Sequence, residues 1–236
     1  FWLKRRSDRA LVTATVPPAA RHMGDVLSSM HGDTGAKAAA AAVPSAASAP
    51  AVWTEDDIEE VLRRIRDAQE KSSNCYDKAL LEISSGRKMS HWIWYVWPTM
   101  ASVRDTTRPE FSLPNFPSAL AYLQCPVLSH RLLEITAAAE GHLRAGSPAN
   151  HVFGGRTDAR KFHETMTFFA VAALHSRNDT QARAFLSALN ALDPPGKLDT
   201  TTMDVLVKDE GLDTYAGLRH ADEIEAQLVD GGNSSS

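Results

Sequence analysis

Gly86-Arg87-Lys88-Met89-Ser90-His91-Trp92-Ile93-Trp94-Tyr95-Val96-Trp97-Pro98 decides how this chain folds. Two cations, a hydroxyl and an imidazole run into six consecutive apolar or aromatic residues, and a proline closes the run. Such a run is too apolar for a loop and too short to cross a membrane, so it belongs inside a core. Its aromatics favour a strand by propensity, but periodicity does not separate a buried strand from a buried helical turn. The polar entrance marks where core meets water, so a site is sought there first.

Upstream, Thr54 followed by Glu55, Asp56 and Asp57 reads as an N-cap with three acids in the first helical turn. Ile58, Val61, Leu62, Ile65 and Ala68 repeat at helical spacing, which predicts a helix over about 55–70. A second helix is predicted from Ser73-Asn74, burying Tyr76, Ala79, Leu80 and Ile83, with Gly86 as the residue just past its end.

Downstream, residues 99–116 show no period and are read as a long surface loop, a candidate lid. Pro117-Ser118 opens a short helix. Pro126 starts another, with Val127, Leu128, Leu132, Ile135, Ala139 and Leu143 on one face. Ser147-Pro148 is read as a cap and first helical residue, Asp158 and Asp179 as caps of two further helices, and Met203 to Val207 as a brief last one. Residues 219–229 are a further helical candidate, and Gly231 to Ser236 a frayed tail. No internal repeat and no succession of alternating strands occurs. The expected fold is all-α: a multi-helical domain over 53–210, after a leader at 1–52 and before a weakly ordered tail at 211–236.

The leader ends in an Ala-rich run, Ala36 to Ala51, with Pro44 and Pro50 and no large apolar side chain to bury. Without burial to offset ordering entropy it is read as a disordered linker. Phe1-Trp2-Leu3 before Lys4-Arg5-Arg6 leaves organelle targeting or the remnant of an anchor as alternatives. No stretch reaches 18 apolar residues, so no membrane span is expected in the chain. The formal net charge of −4 offers no basic field for nucleic acid. Two cysteines, Cys75 and Cys125, make neither a disulfide framework nor a metal knuckle, and fit a reducing, cytoplasmic compartment.

Several blocks resemble one small, mainly bacterial family. They are Ile65 to Gln69, Tyr76 to Lys88, Ser90 to Pro98, Tyr122-Leu123 with Pro126 to Leu132, Val152-Phe153-Gly154, and Asp158 with Lys161 and Thr165 to Phe169. The family is a domain of unknown function often labelled calpastatin-like. True calpastatins are disordered inhibitors, which this core-rich sequence does not resemble. The resemblance covers about 57–207 and implies a compact, multi-helical single domain without supplying an activity. Three positions depart from the family pattern: Thr99 stands where Gln is usual, and Glu164 and Thr165 where Ser is usual.

The candidate ligand-binding residues are Arg87, Lys88, Ser90, His91 and Trp92, placed opposite Asp158, Lys161 and Thr165. Arg87 offers a planar fork to phosphate or carboxylate. Lys88 serves equally as a cation at a helix C-terminus, and Ser90 as an N-cap. His91 as a base needs an orienting acid that spacing does not supply. Asp158 and Lys161 read as an i,i+3 pair. His163-Glu164 lacks the second histidine of a zinc helix, so no metal is assigned and no cofactor is expected. The expected function is binding of, or action on, a phosphorylated or nucleotide-like anion. A protein-interaction module using 99–116 is the alternative, and a purely structural role for the aromatic block is the third.

Overall fold

A computed structural model describes residues 53–212. The expectations for the leader, for 219–229 and for the tail lie outside them. Among the described residues the secondary structure is helical, with no strand: α1 (Glu55–Lys71), α2 (Tyr76–Ser84), α3 (Ile93–Val96), α4 (Phe116–Gln124), α5 (Pro126–Arg144), α6 (Ala149–Val152), α7 (Arg156–His175), α8 (Asp179–Asn190) and α9 (Thr200–Lys208).

α1 starts as its sequence dictates. The Thr54 hydroxyl accepts from the Asp57 amide at 3.2 Å, and the Asp57 carboxylate accepts from the Thr54 amide at 2.9 Å, a reciprocal cap. Val61, Ile65 and Gln69 form its buried stripe. α2 begins at Tyr76, later than expected, with Cys75 at its cap position. Gly86 ends it with φ +89°, its amide on Ile83 O at 2.8 Å and the Arg87 amide on Glu82 O at 3.1 Å. That is the left-handed terminus for which glycine is favoured.

The aromatic stretch resolves as one helical turn. Trp92 O accepts from the Tyr95 and Val96 amides and Ile93 O from the Trp97 amide. Gln69 of α1 donates its side-chain amide to Tyr95 O at 2.7 Å, satisfying a carbonyl that so short a helix leaves open. Trp97 is fully buried, edge-on to Phe153 at 5.4 Å and Phe162 at 4.9 Å, and its indole donates to Thr136 Oγ1 at 3.1 Å.

The expected surface loop at 99–116 is instead a strap pinned against the body. Thr99, Met100, Val103, Ser112 and Leu113 are buried. Its two arms bond to each other, Leu113 N to Thr99 O at 3.0 Å and Ala101 N to Leu113 O at 2.9 Å. A 3-10 turn at Pro109–Phe111 lies between the arms. The absence of a period was correct for residues paired in isolation rather than in a ladder, but it does not imply exposure.

Three caps move. Asn115, not the Pro117-Ser118 pair, caps α4; Asn178 rather than Asp179 caps α8; and α7 starts at Gly155, which puts Asp158 in the first turn instead of at the cap. Pro148 takes the cap position of α6. α7 is the central element: nearly every side chain from Lys161 to Leu174 is buried, so it is enclosed on most sides by its neighbours.

Candidate functional site

The first turns of α7 carry the polar cluster that the fold brings against the aromatic stretch. After Gly86 the chain docks on the end of α6, Lys88 N donating to Val152 O at 2.8 Å. Gly154 sits against that junction with φ +73°, and a Cβ there would lie 2.7 Å from Lys88 O. This close approach aims the Lys88 side chain along α7. Its ammonium meets Asp158 Oδ2 at 2.6 Å and lies 5.4 Å from the centre of the Trp92 ring, with the side chain only 8% exposed. Lys88 is therefore not the helix-terminus cation of the simplest reading but half of a largely buried ion pair.

One turn on, Glu164 is buried and accepts a two-pronged bond from Arg104, Nε to Oε2 and Nη2 to Oε1, both at 2.7 Å. Arg160 adds a third contact at 3.1 Å. The Thr165 hydroxyl donates to Trp97 O at 3.2 Å. The strap is thus fastened to α7 at Thr165 and Glu164, with Thr99 between the fastenings. The Thr99 hydroxyl is the one fully buried side-chain polar atom among the described residues that lacks a hydrogen-bond partner.

Lys161 stands between these two pairs in sequence, three residues after Asp158 and three before Glu164. Its side chain is buried, and no carboxylate oxygen lies within 4.0 Å of its ammonium among the described residues. The i,i+3 pair expected with Asp158 is absent because Lys88 already occupies that carboxylate. Burial, and after it the Arg104 charge, lowers the Lys161 pKa to about 8, while Glu164 and Asp158 act in the opposite direction. Since the Lys161 ammonium also lacks a partner and yet is not fully buried, it keeps contact with solvent.

The remaining sequence-chosen residues lie elsewhere. The Ser90 hydroxyl and amide donate to Glu82 of α2 at 2.5 and 2.9 Å, and the Trp92 indole and Met89 amide complete the set at 2.8 and 2.7 Å. Ser90 is therefore not the cap of α3, a position held by Trp92. Burial alone would raise the Glu82 pKa, but these four donors overcome it and hold the carboxyl at about 2. Arg87 is exposed, and its guanidinium has no partner among the described residues. His91 is exposed and stacks against Trp94, ring centres 6.4 Å apart, on a separate groove.

So the fold joins Lys88, Trp92 and Asp158 and puts Lys161 within reach of the Asp158 charge; Ser90 shares Glu82 with Trp92, Thr165 bonds Trp97 O, and Arg87 and His91 are exposed. Glu82, Arg104 and the role of Glu164 were not found by sequence reasoning. Glu82 carried a faint signal, an acid at the end of α2 just before a run of polar groups; Arg104 carried none.

A family model described as "Protein of unknown function (DUF1810)" matches residues 59–206. The chain belongs to the DUF1810 family. It is similar to a conserved hypothetical protein from Mycobacterium tuberculosis whose crystal structure is known, at 26% identity and a TM-score of 0.54. The match covers 62% of this chain and 96% of that one. Among curated proteins none matches. The DUF1810 match begins and ends within the described helices and encloses Lys88, Asp158 and Lys161. Among the described residues no helix is long and apolar enough to cross a membrane.

Proposed function

We propose that this DUF1810 domain binds an anionic small molecule, phosphorylated or nucleotide-like, against the ammonium of Lys161. One observation carries the reading: both acids one turn either side of Lys161 are already engaged, Asp158 by Lys88 and Glu164 by Arg104 and Arg160. Four cations therefore face two carboxylates, and the surplus positive charge falls on a side chain whose stem is buried. A buried, unpaired cation is costly, and the cost is met either by losing the proton or by gaining an anion. Burial lowers the Lys161 pKa only to about 8, so at pH 7 the amine stays largely charged and an anion is the compensation that remains.

An arriving phosphate or carboxylate meets Lys161 as a point charge, since the Arg104 fork is already held by Glu164. Isothermal titration with inorganic phosphate, a sugar phosphate and a nucleoside monophosphate tests this. The expected result is binding of at least one of them by the parent chain, weakened about tenfold or more in Lys161→Met. Absence of binding to all three, or equal binding by a folded Lys161→Met, overturns it.

A further inference from the structure

On another face, the chain holds a groove of about 200 Å3 whose lining includes Ser73, His91, Trp94, Tyr95, Arg108 and Phe111. Tyr95 meets Phe111 edge-on at 5.2 Å and makes an apolar wall. His91 and Trp94 present rings inclined by only 28° to each other. The Tyr95 hydroxyl is already used, donating to Asn74 O at 2.7 Å. By contrast the Trp94 indole N–H, the His91 ring nitrogens and the Ser73 hydroxyl have no hydrogen-bond partner among the described residues. Arg108 has only Glu110, at 3.5 Å and with both side chains well exposed, a weak pairing. No carboxylate lines the groove. Unpartnered polar groups and one weakly paired guanidinium thus line a groove with aromatic walls and no carboxylate. A second hollow of about 250 Å3 beside Leu120, Leu123 and Gln181 has no charged lining, and the Gln181 amide is already donating to Leu123 O and Ser129 Oγ.

We infer that the His91–Trp94–Arg108 groove is a binding site for a small planar aromatic acid, its ring against Trp94 and its anionic group on Arg108. The volume is below the roughly 300–1,000 Å3 of sites for drug-sized ligands, so the occupant is a single ring with one acidic substituent. The ring supplies the stacking that indole and imidazole faces favour, and the acid accepts from the donors left over. This inference does not rest on the Lys161 reading, because the two sites share no residue.

The test uses benzoate, with acetate and benzyl alcohol as controls that lack the ring and the charge, followed by the Trp94 indole resonance of 15N-labelled chain and assigned with Trp94→Phe. Benzoate is expected to shift that resonance and to bind about tenfold or more tightly than either control. Arg108→Gln weakens benzoate about tenfold, His91→Ala weakens it less, and Lys161→Met leaves it unchanged. Arg108 and His91 are exposed, so both variants are expected to fold. Benzyl alcohol or acetate binding as well as benzoate, unaltered affinity in Arg108→Gln, loss of benzoate binding in a folded Lys161→Met, or no shift up to about 10 mM benzoate each overturn the inference.

Discussion

Lys88 and Asp158 meet at 2.6 Å across the junction between the aromatic stretch and α7, and that contact takes from Lys161 one of the two acids three residues away on its own helix. Replacing Asp158 by Asn leaves the Lys88 ammonium buried without its counter-charge. Removing one partner of a buried pair costs about 3–5 kcal/mol. Asp158 keeps 25% of its side chain exposed, so water offsets part of the loss. The expected destabilisation is about 2 kcal/mol by urea unfolding, partly recovered in the Lys88→Met/Asp158→Leu double variant.

Gly154 controls the same junction through backbone space. A Cβ at this position lies 2.7 Å from Lys88 O and the residue has φ +73°. Gly154→Ala therefore combines a left-handed backbone penalty of about 1–2 kcal/mol with a clash against a backbone atom that cannot swing aside. A thermal unfolding midpoint lowered by several degrees is expected, whereas Gly146→Ala, with open space around it but the same sign of φ, loses only the backbone contribution.

Glu82 sets the acid limit of the fold. Its carboxyl titrates at about 2 in the folded chain against 4.5 ordinarily. The folded pKa is depressed, so the stability it supplies is present above pH 4.5 and is lost as pH falls from there towards 2. The group is only partly buried, and solvent screening reduces its contribution to about 1 kcal/mol. Glu82→Gln is expected to flatten the pH dependence of unfolding free energy in that window by about this amount while leaving the slope above pH 5 unchanged.

Thr99 carries a hydroxyl with no partner at a fully buried position. Thr99→Val keeps the shape and removes the unsatisfied group, and the expected gain is about 1 kcal/mol in denaturant unfolding.

How much of this was legible in the sequence follows from what each signal is made of. Thr54 and Gly86 were readable because a cap and a left-handed terminus act within a few residues of themselves. Asp158 was chosen as important for the wrong local reason: an acid near a helix start is consistent with a cap, and only the fold shows that Gly155 caps α7 while Asp158 reaches Lys88. The Arg104–Glu164 fork left no trace, because pairing between a strap and a helix has no spacing rule. The strap itself was misread as surface because its buried residues follow no period. His91 and Lys88 were grouped because they are neighbours in sequence, yet Lys88 pairs with Asp158 while His91 lines a groove with Trp94 and Arg108.

If an anion binds at Lys161 as proposed, its affinity depends on pH. The Lys161 pKa of about 8 is lowered from 10.5, so the folded chain binds fewer protons there than the unfolded chain between those values, and its contribution to stability rises with pH across that interval. Ligand binding goes the other way, since the anion needs the charged amine. A nucleoside monophosphate has completed its second ionisation, near about pH 6, so above pH 7 the ligand's phosphate charge is fixed. Its affinity is expected to fall as pH rises through 8, and to stay flat over the same range in Lys161→Arg, whose guanidinium does not titrate there.

The most direct measurement is the calorimetric titration of a nucleoside monophosphate into the parent chain and into Lys161→Met at pH 7, with circular dichroism confirming that both are folded. Binding by the parent that drops about tenfold or more in the variant is the expected result. Equal affinity in the two folded proteins contradicts the placement of an anion at Lys161, whose neighbouring acids are engaged by other cations.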